Sequence, residues 1–591
     1  MINVNLCLSG RELSEPCPSP DGQSVLIGVR TAGRSGMLLV PSHGGPERVL
    51  SVNPGPVLAR GLGGGCADWL PDSSGFVYAA VDGQVWLHLL TGERRALSAL
   101  DTGHEVTSPA VSPDGCSVAF VVDLAAVHVV RVDGGDADLL VADGSDFVTD
   151  PAWSPDGREL VWQGWDVPNM SWDESFTVRW SPLSGTQPER VPPTAPQQVQ
   201  QVQQPRFSTD GALWDVSDST GWLNIRRDGR TVLDERHEHA GPGWGPGQRS
   251  FAVSPDGARV VLNRNESGFG RLVVVDVSTG AVTEVAKGVH GQLRWVGYRV
   301  TALRTGGRTP TQAVAYDTNA DGAAWFRTTL AVGPVAEWSQ VEEHLVEPEL
   351  IEVSTYQGAR VPARAYRPAD PVARAEGRLI CWVHGGPTDQ WQVTFMPRVT
   401  FWVSRGWTVL VPDHRGSTGH GRAFQQAMRG RWGSVDTADV AATIAYAQAL
   451  GWGTRERTVL MGGSAGGYTA LNVLIANPEL AAGAAVVYPV TDPAVLAGAT
   501  HRFEAHYNDT LVGDEPVVVD PALIARPVLI LHGDSDPVVP VANSIEFARR
   551  AAELHRDVEL HVFEGEGHGF RQPVNQAAEY ALTEQFVARI V

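Results

Sequence analysis

Two hydrophobic periods divide this chain. Through the first half, short β-type runs recur: Ser24-Val25-Leu26-Ile27-Gly28-Val29, Ser117-Val118-Ala119-Phe120-Val121, Leu160-Val161-Trp162 and Val260-Val261-Leu262. Each run follows the same turn, Ser-Pro-Asp-Gly, at Ser19–Gly22, Ser112–Gly115, Ser154–Gly157 and Ser254–Gly257. Leu70-Pro71-Asp72 and Ser208-Thr209-Asp210-Gly211 are weaker copies. Proline followed by Asp-Gly is turn chemistry, and the period-2 stretch after it is strand chemistry. The unit returns at roughly 40–55 residues, the length of a four-stranded propeller blade. Counting a further unit around Leu293-Arg294-Trp295-Val296, seven blades are expected. A β-sandwich array would not repeat one turn tetrapeptide at this period.

The alternation ends near Trp338, and Glu342 to Glu349 reads as a linker. Beyond it the period changes. Leu379-Ile380-Cys381-Trp382-Val383, Thr408-Val409-Leu410-Val411 and Ala484-Ala485-Val486-Val487 are continuous apolar strands, and helical segments such as Thr437–Leu450 and Val541–Leu554 alternate with them. That order implies a parallel, doubly wound sheet. The expected architecture is a β-propeller over residues 1–340 and an α/β domain over 341–591.

Composition narrows the function classes. At 591 residues, 43% of them hydrophobic, the chain can hold more than one core. The formal net charge is −21, with acids and bases interspersed, which argues against nucleic acid as a partner and for a soluble protein. Cys7, Cys17, Cys66, Cys116 and Cys381 show no CxxC spacing. Neither a disulfide framework nor a cysteine zinc site is suggested, and a reducing cytoplasm fits. Residues 1–30 lack a basic start followed by an apolar run, and no apolar run reaches about 18 residues, so neither a secretory signal nor a membrane span is expected. The sequons at Asn265 and Asn508 then read as chance matches. Gln197 to Gln204 reads as an exposed inter-strand loop. His237-Glu238-His239, with no third ligand nearby, reads as a solvated loop and not a metal pair. A homo-oligomer is compatible with all of this.

Candidate chemistry centres on Thr458–Leu474, TVLMGGSAGGYTALNVL. A short strand, a glycine turn and a helix enclose Ser464 in a GxSxG motif, the context of a nucleophile elbow. The glycines are needed where neighbours pack too closely for a Cβ. The helix start aims free N–H groups at an oxyanion beside Ser464. An acid and a histidine follow in the order an α/β-hydrolase requires. Pro527–Leu531 is a strand ending in His532-Gly533-Asp534-Ser535-Asp536, and Val558–Phe563 is a strand ending in Glu564-Gly565-Glu566-Gly567-His568-Gly569-Phe570. Both loops lie past strand C-termini, where open α/β sheets carry their sites. Between Asp534 and Asp536, Asp536 is preferred as the acid, with Asp534 as a loop or capping residue. His384-Gly385-Gly386-Pro387 stands where hydrolases place the loop that completes an oxyanion hole.

HGGP, Asp413-His414-Arg415-Gly416-Ser417, GGSAGGY, HGDSDPVVP and GHGF, joined to a propeller, resemble the prolyl oligopeptidase family of serine peptidases, and HGGP resembles its acylaminoacyl-peptidase branch. Val216–Asn224 and Val512-Gly513 after His506-Tyr507 are similar to stretches in bacterial members of that branch. The resemblance implies Ser464 as nucleophile, Asp536 as orienting acid and His568 as general base, with the N–H groups of Gly386 and Ala465 as oxyanion donors. Prolyl oligopeptidase proper has tyrosine at the His384 position, so strict post-proline specificity does not carry over.

The mechanism then needs neither metal nor organic cofactor. His568 takes the serine proton, Asp536 fixes the imidazole tautomer, and each oxyanion donor is worth ~3–4 kcal/mol. The resemblance implies a peptidase of short peptides with the propeller covering the site. An N-terminal exopeptidase leads, either acylaminoacyl-peptidase or (dipeptidyl) aminopeptidase. Hydrolysis of small peptide-like amides or esters, or cleavage at a C-terminus, is the alternative, and a non-catalytic propeller scaffold is the alternative of another class. Asp173-Glu174 and Glu504, acids beside aromatics, are candidates to pair with a substrate ammonium, against a reading as solvated turns.

Overall fold

The structure is a computed structural model. It describes residues 1–59, 61–134, 139–141, 143–182, 186–192, 199–319, 324–355, 358–498 and 500–591. Two compact units divide them: Gly10–Gly306 with Pro310–Pro334, and Met1–Ser9 with Gly307–Thr309 and Val335–Val591.

In the first unit, seven antiparallel four-stranded sheets follow one another among the described residues, each built from four consecutive strands. This is a seven-bladed β-propeller. The repeated tetrapeptide makes the hairpin between the first two strands of a blade. Ser19 Oγ donates to Asp21 Oδ1 at 2.6 Å and accepts the Ser24 N–H at 3.0 Å, while Gly22 takes φ +70°. The same pair of bonds recurs at Ser112 (2.6 and 2.9 Å), Ser154 (2.7 and 2.9 Å) and Ser254 (2.5 and 2.9 Å). The serine and aspartate of the repeat thus occupy the backbone N–H groups that the turn leaves without strand partners.

The first blade begins at Glu12 and the seventh ends at Val332, so no strand from one end completes the sheet of the other. The Arg11 N–H donates to the Gly333 carbonyl at 3.0 Å, and side chains complete the closure. Leu13, Val25 and Ile27 pack with Leu303, Ala313 and Ala315, and Arg294 pairs with Glu15 at 3.0 Å. Inner strands of five blades carry a bulge whose residue has positive φ: Glu15, Ser108, Asp150, Gln204 and Gln292. Hydrogen bonds from these positions cross the ring. Asp150 Oδ1 accepts Ser108 Oγ at 2.9 Å and the Gly247 N–H at 2.6 Å, and Gln292 Nε2 donates to the Gly247 and Leu62 carbonyls at 2.7 and 2.8 Å.

This ring explains why Gln200–Gln204 are not the exposed loop that their composition predicts. They are buried and enter an inner strand. Gln201 Nε2 donates to Asp218, Gln203 to Gln201, and Gln204 accepts the Ser250 N–H, so every one of these amides is paired. Gln197 and Gln198 lie outside the described residues. His237-Glu238-His239 is likewise not simply solvated. Glu238 and His239 are buried, with Glu238 Oε2 accepting the Leu223 N–H at 2.6 Å.

The second unit is an α/β-hydrolase domain. Its strands are β1 (Glu349–Ser354), β2 (Arg360–Tyr366), β3 (Leu379–Val383), β4 (Thr408–Pro412), β5 (Thr458–Gly463), β6 (Gly483–Val487), β7 (Val528–Gly533) and β8 (Val558–Phe563). They form one eight-stranded sheet in the order β1-β2-β4-β3-β5-β6-β7-β8. From β4 onward the pairs are parallel, and β1 and β2 are antiparallel additions. The central strands read as continuous apolar runs because helices cover both faces. Ile380, Val409, Val459, Met461, Leu529 and Leu531 pack into one core with Phe401, Trp402 and Phe586.

Residues 1–9, expected within a propeller spanning 1–340, belong instead to this unit. They precede the first period-2 run and form a short helix, Val4–Leu8, capped by Asn3. Ile2 buries itself against Trp338 and Leu345, and its N–H donates to Ser404 Oγ at 3.0 Å.

Candidate active site

Ser464 sits between β5 and helix α1 (Ala465–Ala476) at φ +55°, ψ −125°, a strained conformation for a residue with a side chain. Three close approaches force the glycines around it. A Cβ on Gly462 would stand 2.4 Å from the Gly466 carbonyl carbon, one on Gly466 would stand 2.3 Å from the Val383 oxygen, and one on Gly467 would stand 2.9 Å from Pro489. Ser464 N–H is tied to the Val487 carbonyl at 3.1 Å. Ala465 opens the helix, where an N–H has no intrahelical acceptor.

His568 lies on the loop after β8, and its Nδ1 is 2.8 Å from Asp536 Oδ2, on the loop after β7. Asp536 is saturated with partners. Oδ1 accepts the N–H groups of Val538 and Val539 at 2.8 and 2.9 Å, and His532 Nε2 lies 3.5 Å from Oδ2. Burial opposes its charge, yet the bonds from His532 and His568 hold this carboxyl well below the usual carboxylate range. Asp534 does other work. Its Oδ1 accepts the Gly565 N–H and Ser535 Oγ, each at 2.8 Å, and so ties the two loops together.

Two residues that the motif reading passes over also build this region. The Tyr488 ring stacks at a tilt on the His568 imidazole, centroids 4.3 Å apart, and a Cβ on Gly463 would meet it at 3.1 Å. Tyr488 therefore packs against both the elbow and the imidazole. Glu566 is buried and accepts the N–H groups of Arg571 and Gln572 at 2.8 and 2.9 Å, fixing the loop that carries His568. Its place two residues before the histidine, in an otherwise glycine-rich loop, was the available signal.

The HGGP loop leaves β3 and lies on the elbow. A Cβ on Gly385 would stand 3.2 Å from the Gly463 oxygen and 3.7 Å from the Ser464 Cβ. Gly386 takes φ +116°, a value that side chains rarely adopt. His384 is sealed beneath the loop, stacked on His414 at 4.7 Å, with Nε2 on Ser417 Oγ at 2.7 Å. Burial, with repulsion from His414, pushes its pKa down to about 3, so it is a neutral support.

Behind the loop, Arg364 grips Asp413 with both terminal nitrogens, at 2.6 and 2.5 Å, and both side chains are fully buried. Asp413 also accepts from Gln390 and His420, each at 2.7 Å. Arg364→Met should therefore strip this buried carboxylate of its guanidinium and cost ~3–5 kcal/mol in a denaturant or thermal melt. Although burial opposes its charge, Arg364 holds the folded Asp413 pKa below its unfolded value. The pair's contribution is thus present above the unfolded value and is lost as pH falls. The deficit should narrow below about pH 4, and a pH-independent one would contradict this account.

The three candidate amine acceptors fall in different places. Asp173 and Glu174 belong to the propeller unit, Glu504 to the catalytic one. Asp173 is no solvated turn residue: it is 5% exposed, and its Oδ2 accepts the Met170 N–H at 3.1 Å. Glu174 is exposed and accepts from Asn169 Nδ2 at 3.2 Å. Glu504 Oε1 lies 3.4 Å from His501 Nε2. Among the described residues no group of three or more His, Cys, Asp or Glu could hold a metal ion, and no helix is long and apolar enough to cross a membrane.

Residues 393–591 match the model of the prolyl oligopeptidase family, and residues 83–212 that of the lipoprotein LpqB β-propeller domain. Dipeptidyl aminopeptidase BIII of Pseudoxanthomonas mexicana is 31% identical over 244 residues, 39% of this chain and 35% of that one. An acylamino-acid-releasing enzyme of Arabidopsis thaliana is 26% identical over 237 residues, 37% of this chain and 31% of that one. The chain's matches span about a third of the length of these curated relatives. Among solved structures, a puromycin-hydrolyzing peptidase of Mycobacterium tuberculosis superposes with TM-score 0.89 at 25% identity, covering 99% of this chain and 95% of that one.

Proposed function

We propose, from the match of residues 393–591 to the prolyl oligopeptidase family, that this chain is a serine exopeptidase that cleaves short peptides from their N-terminal end through an acyl-enzyme. The observation that carries the reading is the His568–Asp536 contact of 2.8 Å on the same strand-end face as the Ser464 elbow. Ser464 is the nucleophile, His568 the general base and later general acid. Asp536 holds the Nδ1 proton and stabilises the imidazolium. The N–H groups of Gly386 and Ala465 receive the oxyanion. No cofactor enters this sequence of steps.

A second reading concerns the bond cleaved. The extensive similarity to a puromycin-hydrolyzing peptidase favours a small peptide-like amide as an equal candidate for substrate. The five cysteines are all free thiols, which supports a reducing compartment, the cytoplasm.

A fluorophosphonate probe tests the class: absence of a Ser464 adduct would refute the hydrolase reading. Turnover of free-amine, N-acetylated and C-terminally blocked peptides, beside a folded protein, then fixes the end and size preference. With a histidine as base, kcat/KM should climb with pH as the imidazole loses its proton. A profile flat from about pH 5 to 9 would exclude an imidazole base.

A further inference from the structure

Beside the HGGP loop lies a carboxyl group that the steps above do not use. A Cβ on Gly386 would stand 3.1 Å from the Asp389 Cβ, and one on Gly385 would stand 3.7 Å from the Ser464 Cβ. Asp389 is therefore one loop-width from the serine. The backbone that carries it is clamped on both sides. The Thr388 N–H donates to the Tyr507 hydroxyl at 3.0 Å, and that hydroxyl donates to Thr388 Oγ1 at 2.6 Å. The Asp389 carbonyl accepts the Thr418 N–H at 3.0 Å, and Gln390 is bonded to Asp413.

The carboxyl itself is half-buried and has no cation. Oδ1 accepts the Gln390 N–H at 2.8 Å, and among the described residues Asp389 forms no ion pair. Three other buried aspartates of the same unit do have one. Asp413 has Arg364, Asp439 has Arg415, and Asp536 has His568. Burial, with the negative charge of Asp413 adding to it, pushes the Asp389 carboxyl up to about 7. A fixed carboxyl that the fold desolvates without pairing lowers no folding free energy where it stands. It does suit a ligand that brings the missing charge.

We propose that Asp389 is the anionic half of a substrate subsite, pairing with an ammonium or guanidinium that the substrate carries next to its scissile carbonyl. This rests on the hydrolase reading above. A substrate with the cation gains a charge-assisted contact, whereas one without it leaves the carboxyl unpaired, so discrimination arises from both sides of the comparison. The cation has two sources, the α-ammonium of an unblocked first residue or a lysine or arginine side chain.

Three anilides separate them: Leu-p-nitroanilide, N-acetyl-Leu-p-nitroanilide and N-acetyl-Lys-p-nitroanilide. In the unmodified enzyme, one cationic substrate should exceed N-acetyl-Leu-p-nitroanilide in kcat/KM by roughly ten- to a hundredfold, the factor of one charge-assisted contact. In Asp389→Asn that ratio should collapse towards one. Because the ratio is taken within a single preparation, a loss of folded enzyme cancels. Preference for Leu-p-nitroanilide identifies the α-ammonium, and preference for N-acetyl-Lys-p-nitroanilide the side chain. No preference in the unmodified enzyme, cleavage of none of the three, or a ratio unchanged in Asp389→Asn overturns the subsite. Ser464 labelling in those cases leaves the hydrolase reading standing, and its loss removes both.

Discussion

Ser464→Ala should abolish turnover, lowering kcat on the order of 10⁶-fold, while the protein keeps its fold. The serine hydroxyl is the only atom removed, and no other nucleophile is held at the elbow. The backbone cost of φ +55° is already present with serine and is nearly the same for alanine, so stability should scarcely move. Steady-state kinetics on the purified variant, with circular dichroism and a thermal melt as controls, decide the matter. Activity within a few-fold of the unmodified enzyme, in a sequence-verified preparation, would remove Ser464 from the mechanism.

Asp536→Asn should lower kcat on the order of 10⁴-fold, the size of the effect in serine protease triads. The amide can still accept from Val538 and Val539 through its oxygen, so the loop should hold. What it cannot do is accept the His568 Nδ1 proton at 2.8 Å and balance the imidazolium charge. The imidazole then favours the tautomer that presents a proton, and not a lone pair, to the serine. Asp534→Asn should do far less to kcat, because Asp534 bonds to Gly565 and Ser535 and its partner is not the imidazole. A reversed ranking of the two variants would transfer the orienting role to Asp534.

Such a ranking is available only because the two aspartates, two positions apart, differ in what meets them in space. His532 and Glu566 repeat the point. Each stands beside a recognisable motif residue, yet nothing in the motif says that His532 approaches Asp536 or that Glu566 anchors the histidine loop. Burial of Gln200–Gln204 was hidden for a related reason. Glutamine-rich composition predicts solvent, and it takes a ring of seven blades to supply an interior where amides are paired.

What the sequence determined by itself is local. The Ser-Pro-Asp-Gly turn closes with hydrogen bonds spanning two to five residues, so its repetition announces the blades. Continuous apolar strands between helices announce a parallel sheet, since only a sheet covered on both faces buries them. Glycines around Ser464 announce the elbow because the close approaches there lie within the motif and the adjoining strand end. The tertiary structure alone decided whatever depends on groups distant in sequence. It joined Arg364 to Asp413, 49 residues apart, set Tyr488 against His568, and drew the first nine residues onto the catalytic unit. It also left Asp389 half-buried and, among the described residues, without an ion pair, beside the loop next to Ser464. Desolvation and charge pairing are properties of the assembled interior, and no period or motif along the chain encodes them one residue at a time.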